Sequence, residues 1–66
     1  MIKCHLSTLM GKNKQTIKDV HEKTGLSRNT ISVIYHEKAK GMELETIEKL
    51  CRLFGCSVGD LLELTD

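Results

Sequence analysis

Proline and tryptophan are absent from this 66-residue chain, and tyrosine and phenylalanine occur once each. β-Sheets favour aromatic and β-branched residues, whereas leucine, lysine and glutamate, which are plentiful here, are good helix formers. The chain is also short, near the lower limit for a domain that folds without disulfides or metals. The composition therefore predicts one small all-α domain covering residues 1–66.

Long apolar runs are missing as well. The N-terminus has no apolar stretch behind a basic start, and no segment approaches the roughly 18 apolar residues of a membrane span. We therefore expect no signal peptide, no membrane partner and a cytoplasmic location. The three cysteines are an odd number, and in that compartment they are expected to be reduced.

Motifs for catalysis and metal binding are scarce. The chain has no phosphate-binding loop and no nucleophile–base pattern, and so small a domain has little room for a substrate pocket. Three cysteines and a histidine invite a zinc or redox hypothesis, but zinc sites usually show C-x2-C or H-x3-H pairs, which are absent. We therefore expect no enzyme activity, no cofactor and no metal site. The residues weighed for zinc are Cys4, His5, Cys51 and Cys56.

Charge is nearly balanced overall, at +1, but it is unevenly distributed along the chain. Residues 1–40 carry eight Lys and Arg against three Asp and Glu, which gives +5, and residues 41–66 carry two against six, which gives −4. A basic front and an acidic back would suit a nucleic-acid partner. The alternative is a set of ordinary solvated helix surfaces that happen to differ.

Apolar periodicity and capping signals predict five helices. The first covers residues 2–11, where Ile2, Leu6, Leu9 and Met10 have helical spacing. A second helix begins at Thr16, with Asp19 completing a capping box. A third runs from about Arg28 to Tyr35 and is followed by a loop over residues 36–43.

The fourth and fifth predicted helices complete the chain. Gly55 is a plausible stop for the fourth, and Ser57 with Asp60 forms a second capping box that opens the fifth. The fourth helix lacks a strong cap, because Glu43 stands at its start. The apolar residues assigned to these two helices are Leu44, Ile47, Leu50, Cys51, Phe54, Leu61, Leu62 and Leu64.

Residues 24–35 are the most informative stretch. Gly25 can take the left-handed conformation that ends a helix, and Ser27 can cap the helix that follows. Spacings of three and four place Arg28, Asn29 and Ser32 on one side of that helix, away from its apolar residues. This layout is typical of a helix-turn-helix, and Arg and Asn are the side chains that pair bidentately with guanine and adenine edges.

Together these features resemble the lambda-repressor-like family of helix-turn-helix proteins, the Cro/repressor or XRE type. The resemblance covers nearly the whole chain and rests on residues 16–20, 24–31, 44–51 and 54–62. It implies a compact five-helix bundle, similar to short stand-alone members. The expected function is a sequence-specific transcriptional regulator, a repressor, that binds double-stranded DNA as a homodimer and reads the major groove with helix three.

The resemblance also implies which residues meet DNA. The candidates for reading bases are Ser27, Arg28, Asn29, Thr30 and Ser32. Those that match backbone-contacting positions are Gln15, Thr16, Lys38 and Lys40, and charge adds Lys12 and Lys14 as further phosphate candidates. Val33 is either a contact to a thymine methyl group or a half-buried packing residue.

One position departs from the family pattern. His21 stands where the family usually packs Ala between the two helices of the motif. A histidine there must either bend outward or bury part of its ring and force the helices apart. A buried polar ring without a partner destabilises a protein by about 1–3 kcal/mol, so we expect His21→Ala to be neutral or stabilising.

A protein-interaction role is the alternative function. The leucines at the end of the chain provide more apolar surface than a small monomer easily buries. That surface could serve homodimerisation or a foreign partner, as in the antitoxin half of a toxin–antitoxin pair.

Overall fold

Five helices and two short strands make up residues 1–65, the part of the chain that the computed structural model describes. In chain order they are β1 (Ile2–Cys4), α1 (Leu6–Lys12), α2 (Ile17–Thr24), α3 (Arg28–Tyr35), α4 (Leu44–Phe54), α5 (Val58–Leu61) and β2 (Leu62–Leu64). The predicted five-helix, mainly α-helical fold is confirmed, with a small sheet in addition. Asp66, which belongs to the predicted domain and its acidic half, lies outside the described residues.

Capping side chains fix where α2 and α5 begin. The Thr16 hydroxyl accepts the Asp19 amide at 3.1 Å, and the Asp19 carboxylate accepts the Thr16 amide at 2.9 Å. Ser57 and Asp60 form the same reciprocal pair at the start of α5. Both predicted capping boxes are confirmed, and α4 begins at Glu43 without a side-chain cap, as predicted.

The core is built from one or two apolar residues of each helix. α2 packs against both α3 and α4. Leu44 is an exception to the predicted apolar stripe of α4, because its side chain is 83% exposed. The buried core residues are Leu6, Met10, Val20, Ile31, Ile34, Leu50 and Leu61.

The two ends of the described chain form an antiparallel sheet, which the sequence analysis did not predict. Ile2 pairs with Leu64 and Cys4 with Leu62. Assigning residues 2–4 to helix one, and Leu62 and Leu64 to helix five, was therefore wrong. Apolar spacing in residues 2–10 does not distinguish one continuous helix from a three-residue strand followed by a helix. The strand that pairs with residues 2–4 also lies about 60 residues away in the sequence.

No helix within residues 1–65 is both long enough and apolar enough to cross a bilayer.

Candidate DNA-binding surface

The turn between α2 and α3 has the geometry that its glycine predicts. Gly25 has φ +78°, a left-handed conformation that side-chain-bearing residues adopt only with strain, and its amide donates to the His21 carbonyl at 2.9 Å. Thr24 adds two bonds, because its hydroxyl donates to the Val20 carbonyl and accepts the Leu26 amide. Leu26 packs partly buried against the core. The turn is thus held by backbone, side-chain and apolar contacts.

His21 has a specific role in this turn. Its Nδ1 donates to the Leu26 carbonyl at 2.6 Å, so the ring links α2 to the segment that enters α3. The expectation of an unpartnered ring was therefore wrong. Alanine at this position could not donate a hydrogen bond to the part-buried Leu26 carbonyl. The histidine therefore has a structural role that alanine could not fill.

α3 starts on a strong cap, as predicted. The Ser27 hydroxyl accepts the Thr30 amide at 3.1 Å and donates to the Thr30 hydroxyl at 2.8 Å. On the inner side of the helix, Ile31 and Ile34 are buried in the core. This anchor fixes the rotation of α3 and decides which side chains point outward.

The five predicted base-reading residues occupy the cap and the first turn and a half of α3. Ser27, Arg28 and Asn29 are exposed, while Thr30 and Ser32 are half-buried. The Ser27 and Thr30 hydroxyls bond to each other. Arg28 and Asn29 have the longest exposed polar side chains in this turn. Their guanidinium and amide groups have the donor geometry that suits guanine and adenine edges. Val33 is half-buried beside them.

Two phosphate candidates, Gln15 and Thr16, lie at the N-terminus of α2. Thr16 is the N-cap, so its hydroxyl is already engaged with Asp19. Gln15 is half-buried, and its Oε1 accepts Lys23 Nζ at 3.2 Å. Lys23 thereby adds a positive charge beside Gln15, which the sequence analysis missed because the two residues are eight positions apart.

Lys12 and Lys14 flank the end of α1. Both are exposed, and Lys14 has φ +55° although it is not glycine. The Gln15 amide donates to the Met10 carbonyl at 2.8 Å across this left-handed residue, which closes the end of the helix. The strained backbone at Lys14 therefore directs the chain toward Gln15 and the start of α2.

The segment after α3 carries Lys38 and Lys40, both exposed. α3 ends through left-handed Glu37, φ +56°, across which the Lys38 amide donates to the Val33 carbonyl at 2.9 Å. The Glu37 carboxylate also accepts the Cys4 amide at 3.1 Å, tying this segment to β1. Burial, and to a lesser extent the Glu37 charge, raise the pKa of the Cys4 thiol.

The three cysteines, Cys4, Cys51 and Cys56, are free thiols. Cys51, predicted to act as a small apolar residue, packs partly buried against the core. Cys56 lies next to Cys51, and burial followed by the neighbouring Cys51 raises the pKa of its thiol. Among residues 1–65 no three His, Cys, Asp or Glu side chains come together as metal ligands would.

Two comparisons with known proteins agree with this geometry. The family model of the Cro/C1-type helix-turn-helix DNA-binding domain matches residues 5–66. The uncharacterized HTH-type transcriptional regulator YozG of Bacillus subtilis (strain 168) is 29% identical over 59 residues, which cover 89% of this chain and 70% of that protein. The family-model match includes α1 to α5, and so covers both helices of the motif.

Proposed function

As a member of the family of Cro/C1-type helix-turn-helix DNA-binding domains, the chain is a DNA-binding transcriptional regulator, and we propose that it reads the major groove with α3. The observation that supports this proposal is the exposure of Arg28 and Asn29 on the first turn of a capped helix whose opposite side is buried. Ser27, Thr30 and Ser32 complete the reading surface. Their short side chains would let the helix approach the base edges closely.

Phosphate contacts would flank this reading helix. Residues before and after α3 supply them, since the start of α2 and the segment after α3 both carry exposed polar or basic groups. Neutralised phosphates release counterions, which provides most of the affinity for any DNA sequence. The proposed phosphate-contacting residues are Lys12, Lys14, Gln15, Thr16, Lys38 and Lys40.

The mode of action would be repression by occupancy of an operator in the cytoplasm. The chain would act as a single domain and by binding alone, without catalysis. One α3 reads only a few base pairs, so two copies on half-sites about 34–36 Å apart would give a longer and more specific site. We therefore propose a homodimer on a two-fold symmetric operator.

A protein partner is the second candidate, as for an antitoxin. The exposure of Leu44 and Val58 on α4 and α5 favours it, because neither side chain is covered in the isolated chain. Co-purification separates the two functions. A regulator that needs only DNA elutes without another protein, whereas an antitoxin elutes with its partner.

Selection of bound sequences from a random DNA pool, at a stated salt concentration, tests the proposed function. We expect a shared motif with two inverted half-sites whose centres are about 10 base pairs apart. A pool that shows no enrichment above the starting library would contradict sequence-specific reading by this chain.

A further inference from the structure

Large apolar side chains are exposed in two regions of the described chain. One region is the end of the sheet, with Met1, Ile2 and Leu64, and the other is formed by α4 and the start of α5, with Leu44 and Val58. Clustered exposed apolar groups mark interaction sites more reliably than scattered ones. Both regions border a depression, which Ile2 lines in the first region and Leu44 and Val58 line in the second. The second lies along one helix, where exposed Glu48 and Arg52 accompany the apolar side chains.

The groove runs along the outer side of α4, and we name it the α4 groove. Ile47, Cys51, Gly55 and Val58 line it, with Leu44 at the opposite end from Val58. It is a shallow depression of about 510 Å³ that is largely open to solvent. Leu44 is the largely exposed apolar side chain of α4, whereas Ile47 and Cys51 are half-buried and also pack against the core.

The shape of this surface is self-complementary. If two copies of α4 pack antiparallel about a two-fold axis between positions 49 and 50, residue 44 of one copy faces residue 55 of the other. The projecting Leu44 then meets Gly55, which has no side chain and borders open space. Each copy offers one projection and one groove, which is the arrangement that an isologous interface requires.

The charges on this surface are self-complementary as well. Glu48 and Arg52 both line the α4 groove, and the same two-fold axis brings Glu48 of one copy near Arg52 of the other. Within one chain they already pair, Nε to Oε2 at 2.8 Å, but both side chains are mostly exposed. An exposed pair of this kind contributes little to a single chain, so it is free to bridge two copies.

From these observations we propose that the α4 groove is the homodimer interface, with Leu44 of each copy seated over Gly55 of the other and with paired charges between Glu48 and Arg52. This inference deepens the proposed function, since it names the surface that would join two DNA-reading domains.

Sedimentation equilibrium of the full chain without DNA tests this interface separately from DNA binding. We expect a dimer for the unchanged chain and a rise of about thirtyfold or more in dimer Kd for Leu44→Glu. The matched control is Leu64→Glu, at a leucine of the sheet that is also largely exposed, and it should leave the dimer Kd unchanged. Circular dichroism verifies that both variants remain folded.

Charge exchange provides a second arm that does not depend on the apolar contact. Glu48→Arg and Arg52→Glu should each be monomeric alone, because like charges then face each other across the axis. An equimolar mixture should form a heterodimer, in which opposite charges meet again. A structural effect inside one chain cannot produce such recovery on mixing.

Three outcomes would overturn the proposal. They are a monomeric unchanged chain, a dimer lost in Leu64→Glu but kept in Leu44→Glu, and charge variants that fail to pair on mixing. A dimer that behaves as expected but binds no selected DNA would instead refute the proposed function and leave the interface intact.

Discussion

Single residues hold α3 at its angle to α2. Gly25 supplies the left-handed backbone, Ser27 caps α3, and His21 reaches across the turn to the Leu26 carbonyl. Each contact acts locally, so we expect its removal to weaken the turn without changing the fold. The His21 contact is the least expected, because it uses an ionisable ring where a small residue would also fit.

Replacing His21 with alanine should weaken the fold modestly. The variant loses the Nδ1 hydrogen bond and leaves the part-buried Leu26 carbonyl without its donor, so the free energy of unfolding should fall by about 0.5–1.5 kcal/mol. Urea denaturation monitored by circular dichroism measures this. Glu22→Ala, at an exposed position on the same helix, is the control and should change the value much less. An unchanged or increased stability in His21→Ala would mean that the hydrogen bond makes no net contribution to the free energy of unfolding.

Helix caps act at the scale of elements. Asp19 and Asp60 each accept a backbone amide at the start of a helix, and these hydrogen bonds, from Thr16 and Ser57 respectively, lower the pKa of both carboxyl groups below the ordinary value of 3.8. Ionised carboxylates at helix N-termini are also favoured by the helix dipole. α2 and α5 therefore both depend on an ionised Asp at their first turn.

Acidification should weaken the fold through these two groups. Because the pKa of each Asp is lower when folded than when unfolded, the stabilisation is complete above the unfolded pKa. It is lost over the acidic range in which pH falls below the ordinary value of 3.8 and through the lower folded pKa. The Asp19→Asn/Asp60→Asn variant should be less stable at neutral pH and should lose less stability over that range. Thermal unfolding at a series of pH values measures both slopes.

Glu22→Gln, an exposed carboxyl group outside both caps, is the control for that series, and its slope should match the unchanged chain. Parallel pH profiles for the double variant and the unchanged chain would show that the caps contribute nothing to acid sensitivity.

The sequence predicts the elements well where a local signal exists. Thr16, Ser27 and Ser57 marked three helix starts, and Gly25 and Gly55 marked two helix ends, because capping and left-handed glycine act within four residues. The sheet could not be predicted, since β1 and β2 have three residues each and pair only after the fold brings the ends of the chain together. The left-handed backbone at Lys14 and Glu37 could not be predicted either, because no glycine marks these positions.

The candidate site likewise has features that the sequence predicts and features that it does not. The outward direction of Arg28 and Asn29 follows from helical spacing around buried Ile31 and Ile34, so sequence alone placed them. Two contacts escaped prediction, the His21 bond to the turn and the approach of Lys23 to Gln15. Both depend on how long side chains extend between elements, which spacing along the chain does not describe.

At the scale of the whole molecule, charge is divided between the two halves of the chain, +5 over residues 1–40 and −4 over residues 41–66. The proposed reading helix and its flanking lysines belong to the basic half. α4 holds charges of both signs, and there the exposed side chains pair within the helix, Glu45 with Lys49 and Glu48 with Arg52. A long-range attraction to DNA would therefore act mainly on residues 1–40, which include the proposed reading helix and its flanking lysines.

Salt dependence measures that attraction. Lys38→Ala and Lys40→Ala should weaken binding to all DNA sequences alike and should each lower the slope of log K against log salt by about one. Fluorescence anisotropy over a salt series gives the slope. Lys3→Ala, which removes an exposed charge from β1, should leave it unchanged. A Lys38→Ala/Lys40→Ala slope equal to that of the unchanged chain would place this segment away from the phosphate backbone.

Base preference in α3 variants tests the central claim most directly. The affinities of the unchanged chain, Arg28→Ala and Asn29→Ala should be measured for the selected operator and for each of its single-base substitutions. We expect each variant to lose about 1–3 kcal/mol on the operator and to lose discrimination at particular base pairs. Lys38→Ala, the comparison, should weaken every sequence alike. If both α3 variants keep the affinity and the base preferences of the unchanged chain, α3 does not read the DNA sequence.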